Sequence, residues 1–212
     1  MSFLVWLISD THSQHHKLRI PKYDVVIHCG DEANSPDVNI NEKESLDFFE
    51  WFEALPGEKI FVPGNHSVAF SRGRVRPKVT CLVDKLYRGI YGSPWSPTFG
   101  SNQWAYNRSR SKMRDVWENV PECKVLVSHG PPKGILDLAK DREGKNLVHC
   151  GCRSLFKRVL EIRPLIHCFG HIHSNGDTQN AGIYENFGIK FVNCSVVNDD
   201  YELINDGFVL EI

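Results

Sequence analysis

The chain has 212 residues, of which 41% are hydrophobic and 24% are charged, a composition typical of a globular protein. This length suits one domain, and we expect a single domain over residues 1–212. The formal net charge is −1, which excludes the strong overall basic field that binds long nucleic acid. Any anionic partner must therefore be held by local charge or by metal ions.

The cysteines and the length of the apolar runs indicate the cellular compartment of the protein. Seven cysteines are scattered along the chain, whereas a disulfide framework would be denser and would belong to a smaller secreted chain. The apolar run at residues 3–8 is too short to span a membrane, and no basic region precedes it. We expect a cytoplasmic protein with reduced thiols and no membrane partner, and the sequence leaves the oligomeric state open.

Strand patterns and helix patterns alternate along the chain. Apolar residues at helical spacing predict helices over 42–55, 111–120 and 152–162, and Asn41 is the expected cap of the first. This alternation indicates an α/β fold, in which ligands bind beyond the carboxyl ends of the strands. Short apolar runs predict the buried strands, at residues 3–8, 24–29, 59–62, 124–128, 165–169, 190–197 and 207–212.

Five of the predicted strands end in residues that can bind metal ions. Each fragment taken alone also fits a turn or a solvated surface histidine. Together they supply carboxylates, imidazoles and one amide but no thiolate, a set that suits divalent ions such as Mn, Fe or Zn. Two such ions can clamp a phosphoryl group and lower the pKa of a water molecule. The candidate ligands are Asp10, His12, Asp31, Asn65, His129, His171 and His173.

The motifs that contain these residues occur in a specific order. They are D-x-H from Asp10, G-D at Asp31, G-N-H around Asn65, H-G at His129 and G-H-x-H around His171. This order resembles the calcineurin-like metallophosphoesterase superfamily. Segments 91–95, 104–107 and 128–132 are similar to the MPPED-type metallophosphodiesterases, in the class III cyclic-nucleotide phosphodiesterase branch. The resemblance implies a four-layer αββα sandwich with the site where the two sheets meet.

The resemblance also implies a role for each candidate residue. It implies two divalent ions, for which we expect manganese, with iron, zinc or nickel as alternatives. His66 would not bind metal and would reach the phosphate or the leaving oxygen, as a transition-state stabiliser or general acid. The implied ligands are Asp10, His12 and His173 for one ion, Asn65, His129 and His171 for the other, and Asp31 as the bridge.

Two places depart from the family pattern. Many relatives carry an acidic residue after G-N-H, where this chain has Ser67. A carboxylate that would orient His66 is therefore missing or supplied elsewhere. After Asp31 come residues 32–34, Glu-Ala-Asn, where the MPPED-type branch has a more apolar sequence. These departures bear on the substrate more than on the metal site.

Asn107 and Arg108 are the substrate contacts that we favour outside the metal ligands. The basic segments 72–78 and 108–114 would each form a ridge if they were extended, because alternate residues of a strand share a face. Such a ridge would be either a solvated surface or a phosphate-binding rim. Trp104 and its aromatic neighbours could stack a base or pack in an irregular lobe.

Four further histidines have structural interpretations. His15 and His16 follow the first metal motif, and we expect them at the surface. His28 and His167 lie inside predicted strands. We expect both to be interior histidines with satisfied hydrogen bonds.

The leading hypothesis is a dimetal-dependent phosphodiesterase that acts on a small nucleotide-like phosphodiester, with cyclic nucleotides as candidates. On the resemblance, a hydroxide that bridges the metal ions would attack phosphorus in line, and His66 would assist the departure of the leaving alkoxide. The alternatives are a metal-dependent phosphomonoesterase or protein Ser/Thr phosphatase and, third, a non-catalytic metal-binding scaffold.

Overall fold

The computed structural model describes residues 3–99, 103–141, 143–176 and 178–212. The strands in chain order are β1 (Leu4–Ile8), β2 (Val25–His28), β3 (Glu58–Phe61), β4 (Thr80–Cys81), β5 (Lys85–Tyr87), β6 (Ile90–Ser93), β7 (Ser96–Pro97), β8 (Asn107–Arg108), β9 (Val125–Ser128), β10 (Leu138–Lys140), β11 (Leu147–His149), β12 (Ile166–Phe169), β13 (Gly182–Asn186), β14 (Ile189–Asn193) and β15 (Phe208–Glu211). The helices are α1 (Val38–Ala54), α2 (Val68–Ser71), α3 (Met113–Trp117) and α4 (Arg153–Ile162), with 3₁₀ helices at His15–Lys17 and Arg110–Lys112.

Most of these strands belong to two mixed sheets. The first has the order β15-β1-β2-β3-β4, in which β1 to β4 are parallel and β15 is antiparallel to β1. The second has the order β13-β14-β12-β9-β6-β5, in which the four central strands are parallel and each edge strand is antiparallel to its neighbour. The remaining strands form two short pairs, β7 with β8 and β10 with β11.

The two sheets pack face to face. Alternate residues of the first sheet, such as Leu7 and Ile27, share one buried cluster with Val127 and Cys168 of the second sheet. This alternation follows from the two-residue period of a strand, which sends neighbouring side chains to opposite faces. The inner faces therefore form one apolar layer between the sheets.

Helices cover both outer faces. Trp6 and Phe61 of the first sheet pack against Phe48 of α1. On the far side, Leu126 of the second sheet packs against Leu155 of α4, in a cluster that also includes α3. The layer order is therefore helix, sheet, sheet, helix, and the predicted αββα sandwich is confirmed.

Helix α1 begins at Val38 rather than at residue 42. Its N-cap is Asp37, whose carboxylate accepts hydrogen bonds from two amides of the first turn. The predicted cap, Asn41, is buried inside the helix. Its side chain donates to the carbonyl of His66 at 2.7 Å and accepts from the amide of Ala69 at 2.8 Å. Asn41 therefore joins α1 to the G-N-H segment instead of ending the helix.

The basic segments do not form extended ridges. Segment 72–78 follows α2 through turns, and segment 108–114 runs from β8 through a 3₁₀ helix into α3. Alternate residues therefore do not share a face along either segment, so the condition for a basic ridge is not met. Within the described ranges, no helix is long and apolar enough to cross a bilayer.

The four structural histidines differ in their surroundings. His15 is fully buried, contrary to the expectation of exposure, because its 3₁₀ helix turns the ring inward, whereas His16 is exposed. His28 is buried with both ring nitrogens partnered, by Thr11 Oγ1 at 3.1 Å and by the amide of Gly30 at 3.2 Å. His167 is partnered only at Nε2, and its buried Nδ1 has no partner among the described residues.

Candidate metal centre

The topology brings the predicted ligands to one edge of the two sheets. Asp10 and Asp31 follow the parallel strands β1 and β2, and Asn65 follows β3. His129 and His171 follow the parallel strands β9 and β12 of the other sheet. Because the carboxyl ends of parallel strands lie at the same edge, all five strand ends meet where the sheets meet.

The backbone is strained at several of these positions. Positive φ angles occur at Asp10 (54°), His12 (39°), Asp31 (62°) and His171 (70°). Left-handed conformations at residues other than glycine cost on the order of 1–3 kcal/mol each, and they persist where the surrounding structure fixes them. The strain turns the four side chains away from their strands and towards a common centre.

Asp10, His12 and His173 form the first group of candidate ligands. Their ligand atoms all lie within 4.8 Å of one another. Nε2 of His173 is 3.4 Å from Oδ1 of Asp10, and Nε2 of His12 is 4.0 Å from the same oxygen. The group contains the same three residues that the family resemblance assigns to one metal ion.

Asp31, His129 and His171 form the second group, and their ligand atoms also lie within 4.8 Å of one another. Nε2 of His129 is 3.3 Å from Oδ2 of Asp31 and 2.9 Å from Oδ1 of Asn65. Asp31 is also within 4.8 Å of ligand atoms of His12, which belongs to the first group. Asp31 therefore lies between the two groups, where a bridging ligand has to be.

The two groups are tied together across the sheets. The carboxylate of Asp10, from the first sheet, accepts hydrogen bonds from the backbone amide of His171, at 3.1 and 3.0 Å. The amide of His66 donates to Oδ1 of Asp31 at 2.7 Å. These bonds hold the carboxylates in place, so their remaining lone pairs face the centre.

The charge distribution fits divalent cations. Burial would raise the pKa of Asp10, but the hydrogen bond and charge of His173 outweigh it and hold that pKa well below the usual range. Burial opposes the imidazolium form of His129, yet Asp31 outweighs it and raises the pKa of His129 to about 9. Burial and the charge of His66 lower the pKa of His12 to about 3, and its buried Nε2 has no partner among the described residues. The centre therefore attracts positive charge and offers a free imidazole lone pair, so the residues present fit the two metal ions.

A short loop orients three histidines through its backbone carbonyls. Residues 29–34 supply these acceptors to Nδ1 of His129 (3.0 Å), His12 (3.1 Å) and His66 (2.8 Å). A carbonyl can only accept, so each Nδ1 carries a proton and each Nε2 is directed elsewhere. The loop that contains Asp31 thus fixes the tautomer of residues from three different parts of the chain.

The same loop accounts for the departures from the family pattern. His66 is oriented by the carbonyl of Asn34, so this orientation needs no carboxylate. Oγ of Ser67 donates to Glu32, and Oγ of Ser45 donates to the other oxygen of that carboxylate at 2.7 Å. Burial raises the pKa of Glu32 to about 7. Glu32 and Ser67 therefore form a buried pair behind the centre.

His66 lies beside the centre and against an aromatic ring. Its ring centroid is 4.6 Å from that of His12 and 3.9 Å from that of Trp104. Because Nδ1 is occupied by the carbonyl of Asn34, Nε2 is the nitrogen free to meet a substrate. A ligand-type atom of His66 also lies within 4.8 Å of those of His12 and Asp31, so the role of His66 outside the ligand set stays a prediction.

The two predicted substrate contacts lie on β8. Oδ1 of Asn107 accepts a hydrogen bond from Ser96 at 2.8 Å, and its buried Nδ2 has no partner in the described parts of the chain. The guanidinium of Arg108 lies over the ring of Trp95, 4.1 Å from its centroid, and Arg108 is exposed. Their contact with a substrate stays a prediction.

Several residues that build the site could not be assigned to it from the sequence. The orienting groups of loop 29–34 are backbone carbonyls, which any residue type supplies. Asn41 carries a signal that was assigned to helix capping. Tyr201 lies 4.7 Å from the ring of His12, but it comes from a loop near residue 200 that contains none of the motifs. Spatial proximity alone reveals these residues.

The fold and this His/Asp/Asn centre are those of a metallophosphoesterase. The chain belongs to the calcineurin-like phosphoesterase family, whose sequence model matches residues 3–192. It is therefore a metal-dependent phosphoester hydrolase of a family that uses two metal ions.

Similar proteins come from several animals. The chain is 30% identical to metallophosphoesterase domain-containing protein 1 of Homo sapiens over 243 residues, which covers 97% of this chain and 69% of that protein. It is 31% identical to the UPF0046 protein K07C11.7 of Caenorhabditis elegans over 217 residues, which covers 90% of this chain and 69% of that protein. These similarities agree with the resemblance to MPPED-type proteins that the motifs carry.

Solved structures share the fold. The protein TT1561 of Thermus thermophilus has a TM-score of 0.53 at 12% identity, covering 91% of this chain and 89% of that one. Phosphopantetheinyl hydrolase from Mycobacterium tuberculosis has a TM-score of 0.50 at 17% identity, and the match covers 93% of this chain and 90% of that one. At these identities the likeness concerns the fold alone.

Proposed function

We propose that this protein is a phosphodiesterase whose substrate is a small nucleotide-like diester, with cyclic nucleotides as candidates. The proposal is narrower than metal-dependent phosphoester hydrolysis, which the family membership gives. The observation that carries it is the aromatic rim of the metal centre, defined here as Phe99, Trp104 and Tyr201.

Each member of the aromatic rim contacts a different histidine of the site. The ring centroids are 4.8 Å apart for Phe99 and His171, 3.9 Å for Trp104 and His66, and 4.7 Å for Tyr201 and His12. Phe99 and Tyr201 are 40% and 37% exposed. Flat, partly exposed rings beside a phosphate site favour a substrate with a planar organic group, because such groups stack on aromatic faces.

The scarcity of Lys and Arg contacts at the site favours a diester over a monoester. In the described part of the chain, no Lys or Arg makes an ion pair or hydrogen bond with a candidate ligand or with His66. Near neutral pH a monoester phosphate carries close to two negative charges and a diester carries one. When no Arg or Lys in the described part of the chain contacts these residues, the diester, which carries less charge, is the favoured substrate.

The chain's own residues have separable tasks in this proposal. When bound, the two metal ions supply Lewis-acid polarisation of the phosphate and lower the pKa of a water molecule. The carboxylates of Asp10 and Asp31 hold the ions. The carbonyl of Asn34 holds Nδ1–H of His66, which leaves Nε2 to give a proton to the leaving oxygen.

We also propose manganese as the metal ion and the cytoplasm as the compartment. The oxygen and imidazole ligands, with no thiolate, support manganese. All seven cysteines are free, which agrees with a reducing compartment. The proposed partner is a small phosphodiester, and the formal net charge of −1 argues against long nucleic acid.

The test compares a diester with a monoester in the presence of manganese. We expect hydrolysis of bis-p-nitrophenyl phosphate with a higher kcat/KM than that of p-nitrophenyl phosphate, and turnover of at least one cyclic nucleotide. The variant Asp31→Asn should lose both activities, because it weakens the ligand between the two groups. Preference for the monoester, or for a phosphopeptide, would replace this proposal with the phosphomonoesterase alternative.

A further inference from the structure

A second cluster of ligand-type side chains lies away from the centre described above. It consists of His15 and His16, in the 3₁₀ helix after the first metal motif, and Asp47 in α1. One nitrogen or oxygen of each residue lies within 4.8 Å of those of the other two. This cluster, called here the His15 cluster, has no part in the proposed reaction.

The distances in the His15 cluster match those around a zinc ion. Nε2 of His15 is 3.3 Å from Oδ2 of Asp47, and Nε2 of His16 is 3.2 Å from Oδ1 of Asp47. Ligand bonds of roughly 2.0–2.2 Å at a tetrahedral zinc ion place neighbouring ligand atoms roughly 3.3–3.6 Å apart. The two imidazole nitrogens face different oxygens of Asp47, and that of His16 is hydrogen-bonded to its oxygen. An ion at the cluster would take the place of that hydrogen bond, at a spacing close to the one it would impose.

His15 is the member of the cluster whose ring nitrogens lack hydrogen-bond partners. The residue is fully buried, with its ring 5.2 Å from that of Trp51 and 5.4 Å from that of Phe48. Neither ring nitrogen makes a hydrogen bond within the described residues, since Nε2 and the Asp47 carboxylate are close but poorly aligned. A buried polar group without a partner is destabilising, on the order of 1–3 kcal/mol. A bound ion would give Nε2 a partner.

The protonation state and accessibility of the cluster also favour an ion. Burial, together with the neighbouring His16, lowers the pKa of His15 to about 4. The imidazole is therefore neutral at physiological pH, and no proton competes for its lone pair. The side chains of His16 and Asp47 are 58% and 56% exposed, so an ion can enter from solvent.

We propose that His15, His16 and Asp47 bind a third divalent metal ion of the zinc type, separate from the two ions of the phosphoesterase centre. Two imidazoles and one carboxylate leave a fourth position for water, as in other three-ligand zinc sites. The ion would join the 3₁₀ helix that follows His12 to helix α1. Its role would be to stabilise that junction.

The test measures zinc bound per chain in the full-length protein. Wild type and variants are dialysed to equilibrium against micromolar free zinc, and bound metal is counted by elemental analysis. We expect His16→Ala and Asp47→Asn each to bind one zinc ion fewer than wild type. Both changes are at exposed side chains, so folding, checked by circular dichroism, and phosphoesterase activity should be preserved.

A matched control and a second readout complete the experiment. Glu50→Gln removes a carboxylate from the exposed side of the same helix and should leave zinc stoichiometry unchanged. Zinc should also raise the melting temperature of wild type more than that of His16→Ala. Equal zinc content in wild type, His16→Ala and Asp47→Asn would overturn the third site. The difference between variants decides the question, so the result does not depend on the substrate of the main centre.

Discussion

Gly64 precedes the candidate ligand Asn65, and the side chains of Asp31 and His129 lie close to its backbone. A Cβ atom at Gly64 would lie 2.6 Å from Cε1 of His129 and would also overlap the carboxylate of Asp31. Contacts this close require one of the groups to move. The two groups belong to the second set of candidate ligands, so we expect a side chain at Gly64 to act directly on metal binding.

We therefore predict that Gly64→Ala lowers both bound metal and kcat/KM. A loss of tenfold or more is expected, which corresponds to about 1.4 kcal/mol or more of transition-state stabilisation. Gly130→Ala is the matched control. It also lies beside a ligand, but its added Cβ would meet its nearest neighbour, Cβ of Ser96, at 3.4 Å, an ordinary contact. Equal activity of the two variants would show that the crowding at Gly64 is relieved elsewhere.

At the residue scale, sequence reasoning could find the candidate ligands that the fold brings together but not the groups that orient them. Asp, His and Asn at strand ends carry their chemistry in the side chain, so the motifs identify them directly. The Nδ1 acceptors of His12, His66 and His129 are carbonyls of loop 29–34, and a carbonyl is common to every residue type. The pairing of Glu32 with Ser67 links two departures 35 positions apart, which no local pattern joins.

Helix α1 contributes to the site through one buried side chain. Asn41 reaches the carbonyl of His66 and the amide of Ala69, and it also donates to the carbonyl of Ser35 at 2.8 Å. These three bonds hold the segment that carries His66 against the helix. The helix is therefore a support for the site as well as a cover for the first sheet.

Asn41→Ala should destabilise the protein and reduce activity together. Alanine is the better helix former, but the change leaves the buried amide of Ala69 and the half-buried carbonyl of Ser35 without this partner. The carbonyl of His66 keeps only its bond from the amide of Val68, so we expect a loss of about 2–4 kcal/mol in the free energy of unfolding. Urea unfolding gives this value, and kcat for the bis-ester reports the position of His66. Lys43→Ala, at an exposed position of the same helix, should change stability by no more than about 0.5 kcal/mol. A stable but inactive Asn41→Ala would contradict the supporting role.

At the element scale, most of the buried strands were predictable and most of the edge strands were not. The exceptions are the buried inner strand β6, which was not predicted, and the edge strand β15, which was. The strands β1, β2, β9 and β12 are almost entirely buried, so their runs are mostly apolar, and β3 is buried in its second half. The edge strands β5 and β13 are largely exposed, and β4 has two residues, so none of them carries an apolar run that was recognised. The cap of α1 was misplaced because Asn41 and Asp37 are both good capping residues, and tertiary contacts decide between them.

At the scale of the whole molecule, stability depends on pH through the histidines inside the two sheets, His28 and His167. Burial lowers the pKa of each to about 3, from the ordinary value of 6.5. Below pH 6.5 the unfolded chain takes up protons at these positions and the folded chain does not. Stability must therefore fall as the pH falls from about 6.5 towards 3, by up to about 1.4 kcal/mol per pH unit for each histidine.

His167→Gln should make stability less dependent on pH. Glutamine can keep the hydrogen bond to Ser128 through its amide, and it does not titrate. Urea unfolding of wild type and variant between pH 6.5 and 4, in the presence of chelator so that metal release does not contribute, measures the slopes. The variant should lose up to about 1.4 kcal/mol less per pH unit. Parallel curves would mean that His167 takes up its proton over the same pH range in the folded and the unfolded chain.

The bond between loop 29–34 and His129 has a consequence for how the protein is made. It joins residues 100 positions apart, and the bond from His171 to Asp10 joins residues 161 apart. Contacts of such long sequence separation form slowly, after the loops between them have closed. During synthesis the parallel strands β1 to β4 leave the ribosome with Asp10, His12, Asp31 and Asn65 before His171 and the edge strand β15 are translated. A nascent chain would therefore carry half a metal centre, and competence for catalysis would arrive as one of the last events of maturation.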